Sequence, residues 1–385
     1  MNGFAIYVAA SAGLALAASA AEAGILIYSR TYRDPPEEVA RGSAEVPTLS
    51  VIIPAYREGK HVLEALSSAV NLDYPADRLE VLLALEEGDE VTRRALGDLA
   101  RCEESPCYVR GVEVRSVVHH GGRRSKPAAL DAALRAARGE VIGVLDADDV
   151  FDREAAKAAV EVLAGGAAAV QLARDARNPD EGGSMTRAQQ GELELNNEYL
   201  IPAMRRLTGF VPILGSGYFI VRKALEDVGG WDPKAPAEDL DLAIRLYEKG
   251  YRVEFLGYPR VHTLAITSLR RLLRQRERWV RGTLLLIPRA LRIAGKTWPV
   301  LLSYMMPPMA WLLADAWPII WFLSPGTQAL IAGATAISLA LYALKLRLQG
   351  TTYQAPIVSF VYAVATWLAL GRLLLAPRSW VGTRS

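Results

Sequence analysis

Cysteine is nearly absent from this 385-residue chain: Cys102 and Cys107 are the only two, in a polar stretch with no histidine or third cysteine spaced to complete a zinc pattern. Neither a disulfide framework nor a structural zinc site is indicated, and both thiols read as structurally incidental. An excess of one charge is missing too. Lys and Arg number 44 against 42 Asp and Glu, a formal net charge of +2, so nothing in the balance points to nucleic acid as a partner. Charge is also missing locally: Glu22 is the one ionisable side chain in residues 1–28, and Asp315 the one in residues 299–344. The glycine fingerprint G-x-G-x-x-G is absent from the first strand-to-helix turn, where Pro54-Ala55-Tyr56-Arg57-Glu58-Gly59 stands instead. That excludes a dinucleotide-binding Rossmann domain, whose pyrophosphate needs close backbone approach.

What is present at the ends is hydrocarbon. Residues 4–28 are apolar, Ala-rich and long enough to cross a bilayer, with Arg30 and Arg33 immediately after. Basic residues following the run, not preceding it, favour a retained anchor over a cleaved signal peptide. The positive-inside rule then places the middle of the chain in the cytoplasm. Three further apolar runs, at 299–323, 327–344 and 356–375, predict three more membrane helices. Residues 29–47, with Asp34-Pro35-Pro36-Glu37-Glu38, read as a linker.

The charged middle alternates strand and helix. Strands are expected at 49–53, 79–85, 112–118 and 141–145, with helices at 61–70, 91–101 and 126–138 between them, the pattern of a doubly wound α/β sheet. Beyond it, helices at 153–163, 186–207 and 242–249 and short strands near 168–173 and 217–221 complete the domain. Residues 268–296 form a basic amphipathic helix, with Leu269, Leu272, Leu273, Trp279 and Val280 set against Arg270, Arg271, Arg274, Arg276, Arg278 and Arg281. Such a helix lies in a membrane surface, its arginines toward anionic headgroups or a phosphate-bearing ligand. The organisation predicted is therefore a membrane helix (1–28), linker (29–47), catalytic domain (48–262), interface helices (263–298), three membrane helices (299–377) and a tail (378–385).

The chemistry concentrates at Val141-Ile142-Gly143-Val144-Leu145-Asp146-Ala147-Asp148-Asp149. A buried strand delivers acids to the crevice at its carboxyl end, where open α/β sheets bind ligands. In an extended chain Asp146 and Asp148 point the same way and can share one hard cation, Mg²⁺ or Mn²⁺, facing a diphosphate. Further on, Gly215-Ser216-Gly217 lets backbone approach something bulky. Glu238, Asp239 and Asp241 precede a helix; the macrodipole accounts for one such acid, but three exceed the needs of a cap.

Taken in order, these pieces resemble the membrane-embedded family 2 glycosyltransferases that include cellulose, chitin and hyaluronan synthases and ceramide glucosyltransferases. Pro54-Ala55-Tyr56-Arg57-Glu58 is similar to the family's P-A-Y-N-E, Ser125 to Leu130 to its S-K-x-x-A-L, Asp146-Ala147-Asp148 to its D-x-D, Ala237-Glu238-Asp239 to its T-E-D, and Gln275 to Trp279 to its Q-x-x-R-W. The resemblance implies a GT-A fold (Rossmann-like) and transfer with inversion from a nucleotide-diphosphate sugar, a UDP-sugar favoured, to a membrane-associated acceptor. That acceptor is a growing β-linked polysaccharide or, as the close second, a lipid. It further implies that Tyr56 and Glu58 line the nucleoside site with Glu86 or Glu87, that Lys126 and Arg278 meet the diphosphate, and that Asp146 and Asp148 bind nucleotide and metal. Asp239, beside Glu238, matches the general base. Gly215, Ser216, Gly217, Gln275 and Trp279 fall to the acceptor. Three positions depart from the pattern: Glu86-Glu87 where many relatives carry Asp, Ala237 for Thr, and Arg57 for Asn. An inactive scaffold or sugar receptor is the rival from another class. The partners expected are the sugar donor, the acceptor, membrane lipids and no nucleic acid, with an oligomer possible.

Overall fold

The computed structural model describes residues 46–293, apart from 104, 121–124 and 236, and helical pieces between 361 and 373. The apolar runs at 4–28, 299–323 and 327–344, the tail and most of the linker lie outside the described residues, and the run at 356–375 is described in part. Among the described residues no helix is long and apolar enough to cross a membrane.

The described residues fall into two compact units, one of residues 46–177 and 209–264, the other of 178–208, 265–293 and the pieces at 361–373. The first unit is built on strands with almost no polar positions. β1 (Leu49–Ala55) and β2 (Leu79–Glu86) are buried along their whole length, as strands covered on both faces must be. α1 (His61–Val70) follows β1 and buries Val62, Ala65, Leu66, Ala69 and Val70, the i, i+3, i+4, i+7, i+8 stripe of a helix packed on a sheet. α2 (Glu90–Leu96), β3 (Cys107–Val109), β4 (Val112–His119) and α3 (Lys126–Ala136) then lead to β5 (Val141–Val144) and the short β6 (Asp149–Phe151). α4 (Ala155–Ala164), β7 (Ala169–Ala176), β8 (Tyr218–Val221), α7 (Arg222–Asp227), α8 (Glu238–Glu248) and β9 (Val253–Thr263) complete this unit.

The nine strands form one sheet in the order β3-β4-β2-β1-β5-β8-β7-β9-β6. The four strands expected to make a doubly wound sheet do so, all parallel, but the sheet as a whole is mixed. β4, β2, β1 and β5 are parallel, but β8 enters antiparallel between β5 and β7, and β3 and β6 close the edges antiparallel. β9, an 11-residue strand parallel to β7, has no counterpart in the sequence reading. Its register slips between Leu172 and Ala173, which pair with Leu256 and Arg260, so Gly257-Tyr258-Pro259 bulges out and breaks the alternation that marks a strand.

Cys102 and Cys107 are joined in a disulfide, against the reading of both as incidental. A tight helical turn (Gly97–Arg101) ends beside β3, bringing the two Cα atoms to 5.7 Å, within the span a disulfide bridges. Spacing alone did not reveal this, because β3 is only three residues long.

In the second unit α5 (Ser184–Leu195) runs through one π-helical turn (Asn196–Leu200) into α6 (Ile201–Thr208), the helix expected at 186–207. Two buried side-chain amides act there as backbone mimics. Asn178 and Gln189 each both accept from and donate to one residue's backbone, Ala265 and Ile266. The basic helix is α9 (Leu269–Ile293). Against the expectation, its arginines do not all face outward. Arg276 is 4% exposed, pairs with Glu192 at 2.6 Å and lies 4.0 Å over the Trp279 ring, while buried Glu277 is met by Arg281 and Arg372. Helical spacing puts residues 272, 276 and 280 on one stripe, so Arg276 sits between two buried apolar residues and must be ion-paired.

Candidate active site

The first turn after β1 is held from a neighbouring helix. Arg57 has a φ of +59°, a conformation costly for a side chain with Cβ, and the Asp89 carboxylate accepts its backbone N–H at 2.7 Å. Asp89 is also the N-cap of α2, accepting from the N–H groups of Val91 and Thr92 and from the Thr92 hydroxyl, while that hydroxyl accepts from Glu58 N–H. One buried carboxylate thus fixes Tyr56, Arg57 and Glu58 against the end of β2. Tyr56 and Glu58 are half-buried, Glu86 is buried and Glu87 is exposed beside His120, so of the paired acids only Glu87 faces solvent. No motif marks Asp89, although an Asp three residues after the acid that ends the strand and three before Thr is an N-cap signal.

Asp146-Ala147-Asp148 is a turn, not a continuation of β5. Asp149 N–H donates to Asp146 C=O at 3.0 Å, so the alternation used to aim Asp146 and Asp148 together does not apply here. The turn instead crowds three carboxylates. Burial pushes the Asp149 carboxyl up to about 6, against the lowering effect of Arg174, with the charges of Asp148 and Asp146 adding to the rise and a Ser216 hydrogen bond opposing it.

Asp146 forms an ion pair with Lys126. Ser125 caps α3, its Oγ accepting from Ala128 N–H, with Pro127 in the first turn, and so Lys126 is delivered from the helix start toward β5. The same Nζ donates to the Gly215 carbonyl at 2.7 Å. Gly215 has a φ of +82°, and a Cβ there would lie 2.9 Å from Asp239 Oδ2 and 3.5 Å from Lys126 Nζ. Ser216 Oγ accepts from Asp146 N–H at 2.9 Å, and Gly217 is pressed against Val261, where a Cβ would come within 2.5 Å. The structure therefore gathers Lys126, Asp146, Gly215, Ser216 and Asp239 at one place, at the carboxyl end of β5.

The three acids near α8 lie inside its first turn rather than before it, and they divide the work. Asp241 is buried and pairs with Arg245 at 2.7 Å, whose guanidinium also donates to the carbonyls of Val228 and Gly230; it is the structural acid of the three. Glu238 is 8% exposed. Asp239 accepts from Leu240 N–H and turns its other oxygen toward Gly215. Behind them Trp231 Nε1 donates to the buried Tyr218 hydroxyl, whose titration burial pushes well up.

Asp146 and Asp148 offer the hard oxygen donors that Mg²⁺ or Mn²⁺ prefers. Among the described residues no group of three or more His, Cys, Asp or Glu side chains converges on a metal-sized point. His262 is not part of this group: its Nε2 lies 2.8 Å from Asp152 Oδ1, as a satisfied structural histidine. Gln275, Arg278 and Trp279 stand half-buried on α9, in the other unit, with Gln275 accepting from Arg276.

The pattern described as "Glycosyltransferase like family 2" matches residues 47–282. The chain belongs to this family. Among curated relatives, the beta-monoglucosyldiacylglycerol synthase of Synechocystis sp. is 30% identical over 237 residues, covering 61% of this chain and 48% of that protein. The UDP-forming cellulose synthase catalytic subunit of Xanthomonas axonopodis is 28% identical over 244 residues, or 61% of this chain and 31% of that one. The chain spans about half the length of the first of these relatives, and less of the second. In fold it is similar to the Pyrobaculum calidifontis mannosyltransferase PcManGT, solved with GDP-Man and Mn²⁺, at a TM-score of 0.64 and 21% identity over 97% of this chain and 100% of that one. The GT-A fold of a family 2 glycosyltransferase is thus established.

Proposed function

We propose that this family 2 glycosyltransferase is a metal-dependent, inverting enzyme that moves a sugar from a nucleotide-diphosphate donor, a UDP-sugar favoured, to an acceptor at a membrane. The observation that carries the reading is the meeting of Lys126, Asp146, the Gly215 carbonyl and Asp239 at the carboxyl end of β5. Asp239 takes the proton of the acceptor hydroxyl as that oxygen bonds to the anomeric carbon and the nucleoside diphosphate leaves from the opposite face. Glu238 lies buried beside it in the first turn of α8. Lys126 would meet the incoming diphosphate, and Asp146 with Asp148 would hold Mg²⁺ or Mn²⁺. That cation, when bound, neutralises charge on the departing diphosphate. Tyr56, Glu58 and Glu87 take the nucleoside end, with Glu86 buried behind them; Gly215, Ser216 and Gly217 wall the acceptor side. Arg278, Gln275 and Trp279 keep the diphosphate and acceptor roles that the resemblance implies.

The acceptor has two readings. The Gln-x-x-Arg-Trp element favours a growing β-linked polysaccharide. A lipid acceptor is supported by the 30% identity to a protein named as a beta-monoglucosyldiacylglycerol synthase, and four apolar runs flank the catalytic unit. Membrane embedding, with the catalytic unit on the cytoplasmic side, is proposed from those runs, and a scaffold without activity is the reading to be excluded.

Radiolabelled UDP- and GDP-sugars supplied to the purified, lipid-reconstituted protein with Mn²⁺ test all of this. Label entering the organic phase as a single added sugar means a glycolipid synthase; label in a large, glycosidase-sensitive product means a polymer synthase. Release of no nucleotide from any donor would sink the transferase reading. Retention in membranes after alkaline carbonate extraction tests the anchoring.

A further inference from the structure

Gln171, on β7, is completely buried and uses its whole amide. Its Oε1 accepts from Leu214 N–H at 2.8 Å, while Nε2 donates to Leu172 C=O and Ser216 C=O, both at 3.0 Å, and to Gly217 C=O at 3.2 Å. Only an oxygen can accept from the amide and only a nitrogen can donate to the carbonyls, so the orientation is fixed by its partners. Three residues along the same strand, Arg174 donates through Nη1 to Leu214 C=O at 3.1 Å, and through Nη2 to Asp149 Oδ2 at 3.3 Å and Thr263 Oγ1 at 3.2 Å.

These bonds fasten the stretch 214–217 at Leu214, Ser216 and Gly217. Gly215 is bracketed between fastened neighbours, and it is the residue whose carbonyl takes Lys126 and whose Cα faces Asp239. Gly215 and Gly217 both have positive φ, 82° and 69°, so the stretch has the backbone freedom to settle elsewhere unless something outside it decides its position.

We infer that Gln171 and Arg174 are positioning residues for the transfer reaction: they set the Leu214-Gly215-Ser216-Gly217 wall at the height that places Gly215 against Lys126 and Asp239. The inference rests on the transferase reading above and adds two residues outside every motif that supports it. Neither side chain touches donor or acceptor. Both act through the wall, so their loss impairs turnover while leaving the nucleoside end, held by Asp89, intact.

The test uses the full chain in lipid nanodiscs, with the donor that wild type turns over best in the UDP- and GDP-sugar panel. Gln171→Met keeps the volume and removes the amide; Arg174→Lys keeps the charge opposite Asp149 but has one nitrogen for three partners. Expected is a fall in kcat of tenfold or more for each variant, per molecule that binds UDP in the presence of Mn²⁺, with the Kd for UDP within threefold of wild type. A kcat per UDP-binding molecule within twofold of wild type would overturn the inference, including the case where the variants merely yield less folded protein. If wild type itself transfers nothing from any donor, the transferase reading fails first, which is a different result.

Discussion

Asp239 and Gly215 make the most exposed claims at the scale of single residues. With Asp239 as general base, Asp239→Asn is expected to lower transfer by about 10²–10⁴-fold while UDP and Mn²⁺ still bind, as radiolabel transfer and calorimetry on one preparation would report. Gly215→Ala is a sharper case, because the new methyl would stand 2.9 Å from Asp239 Oδ2 and the φ of +82° resists any Cβ. What gives way is the Asp239 side chain, so the variant is expected to lose at least tenfold in kcat and about 1–2 kcal/mol in urea-unfolding stability. A variant active as wild type would place the acceptor wall elsewhere.

Among elements, the β1 turn and α2 behave as one piece joined by Asp89. Asp89→Ala removes a helix cap and strands the Arg57 N–H and the buried Thr92 hydroxyl, an expected cost of about 2–3 kcal/mol. Because Tyr56 and Glu58 hang from that turn, the KM for the donor is expected to rise more than kcat falls. Equal loss in both would mean that the turn does not carry the nucleoside site. Element boundaries on this side of the molecule were legible: the apolar runs of β1, β2 and β5 and the 3.6-residue stripe of α1 are set by burial against immediate neighbours. β9 was not, because its bulge at Gly257-Tyr258-Pro259 erases the period of two. The buried stripe of α9 was misread for a related reason: an arginine in a sequence says nothing of the carboxylate waiting 84 positions earlier.

For the whole molecule, the amino ends of the parallel strands hold a polar cluster that bears on stability rather than chemistry. Glu80, buried on β2, accepts from Ser50 Oγ, Arg138 N–H and Arg115, and pairs with both guanidinium groups. Burial alone would raise its carboxyl, but the hydrogen bonds from Ser50, Arg138 and Arg115 and the Arg115 charge outweigh it and hold the group below the usual carboxylate range. A depressed native pKa means that the unfolded chain binds the proton more readily. The stabilisation is therefore complete above the ordinary glutamate value and is lost as pH falls from there through the native pKa. Thermal melts should show stability dropping below about pH 4.5. Glu80→Gln is expected to flatten that drop while costing about 3 kcal/mol or more at pH 7, where two arginines lose their buried partner. An unchanged acid limb would assign the acid lability to other groups.

By itself the sequence determined the kinds of group present and their order along the chain: the alternation that makes an α/β sheet, the acids after β5, and the five motifs that mark family 2. Those are local properties, fixed by burial period and by residues a few positions apart. Tertiary structure decided which of them meet. Lys126, Gly215 and Asp239 come together only because β5 and β8 pair antiparallel, and Gln171 and Arg174 hold the wall only because β7 lies on the other side of β8. The cysteine pair, read as incidental, became a disulfide by the same route. Side chains 40 to 110 positions apart share no local signal, since the free energy that joins them is gained only once the sheet that spaces them has formed.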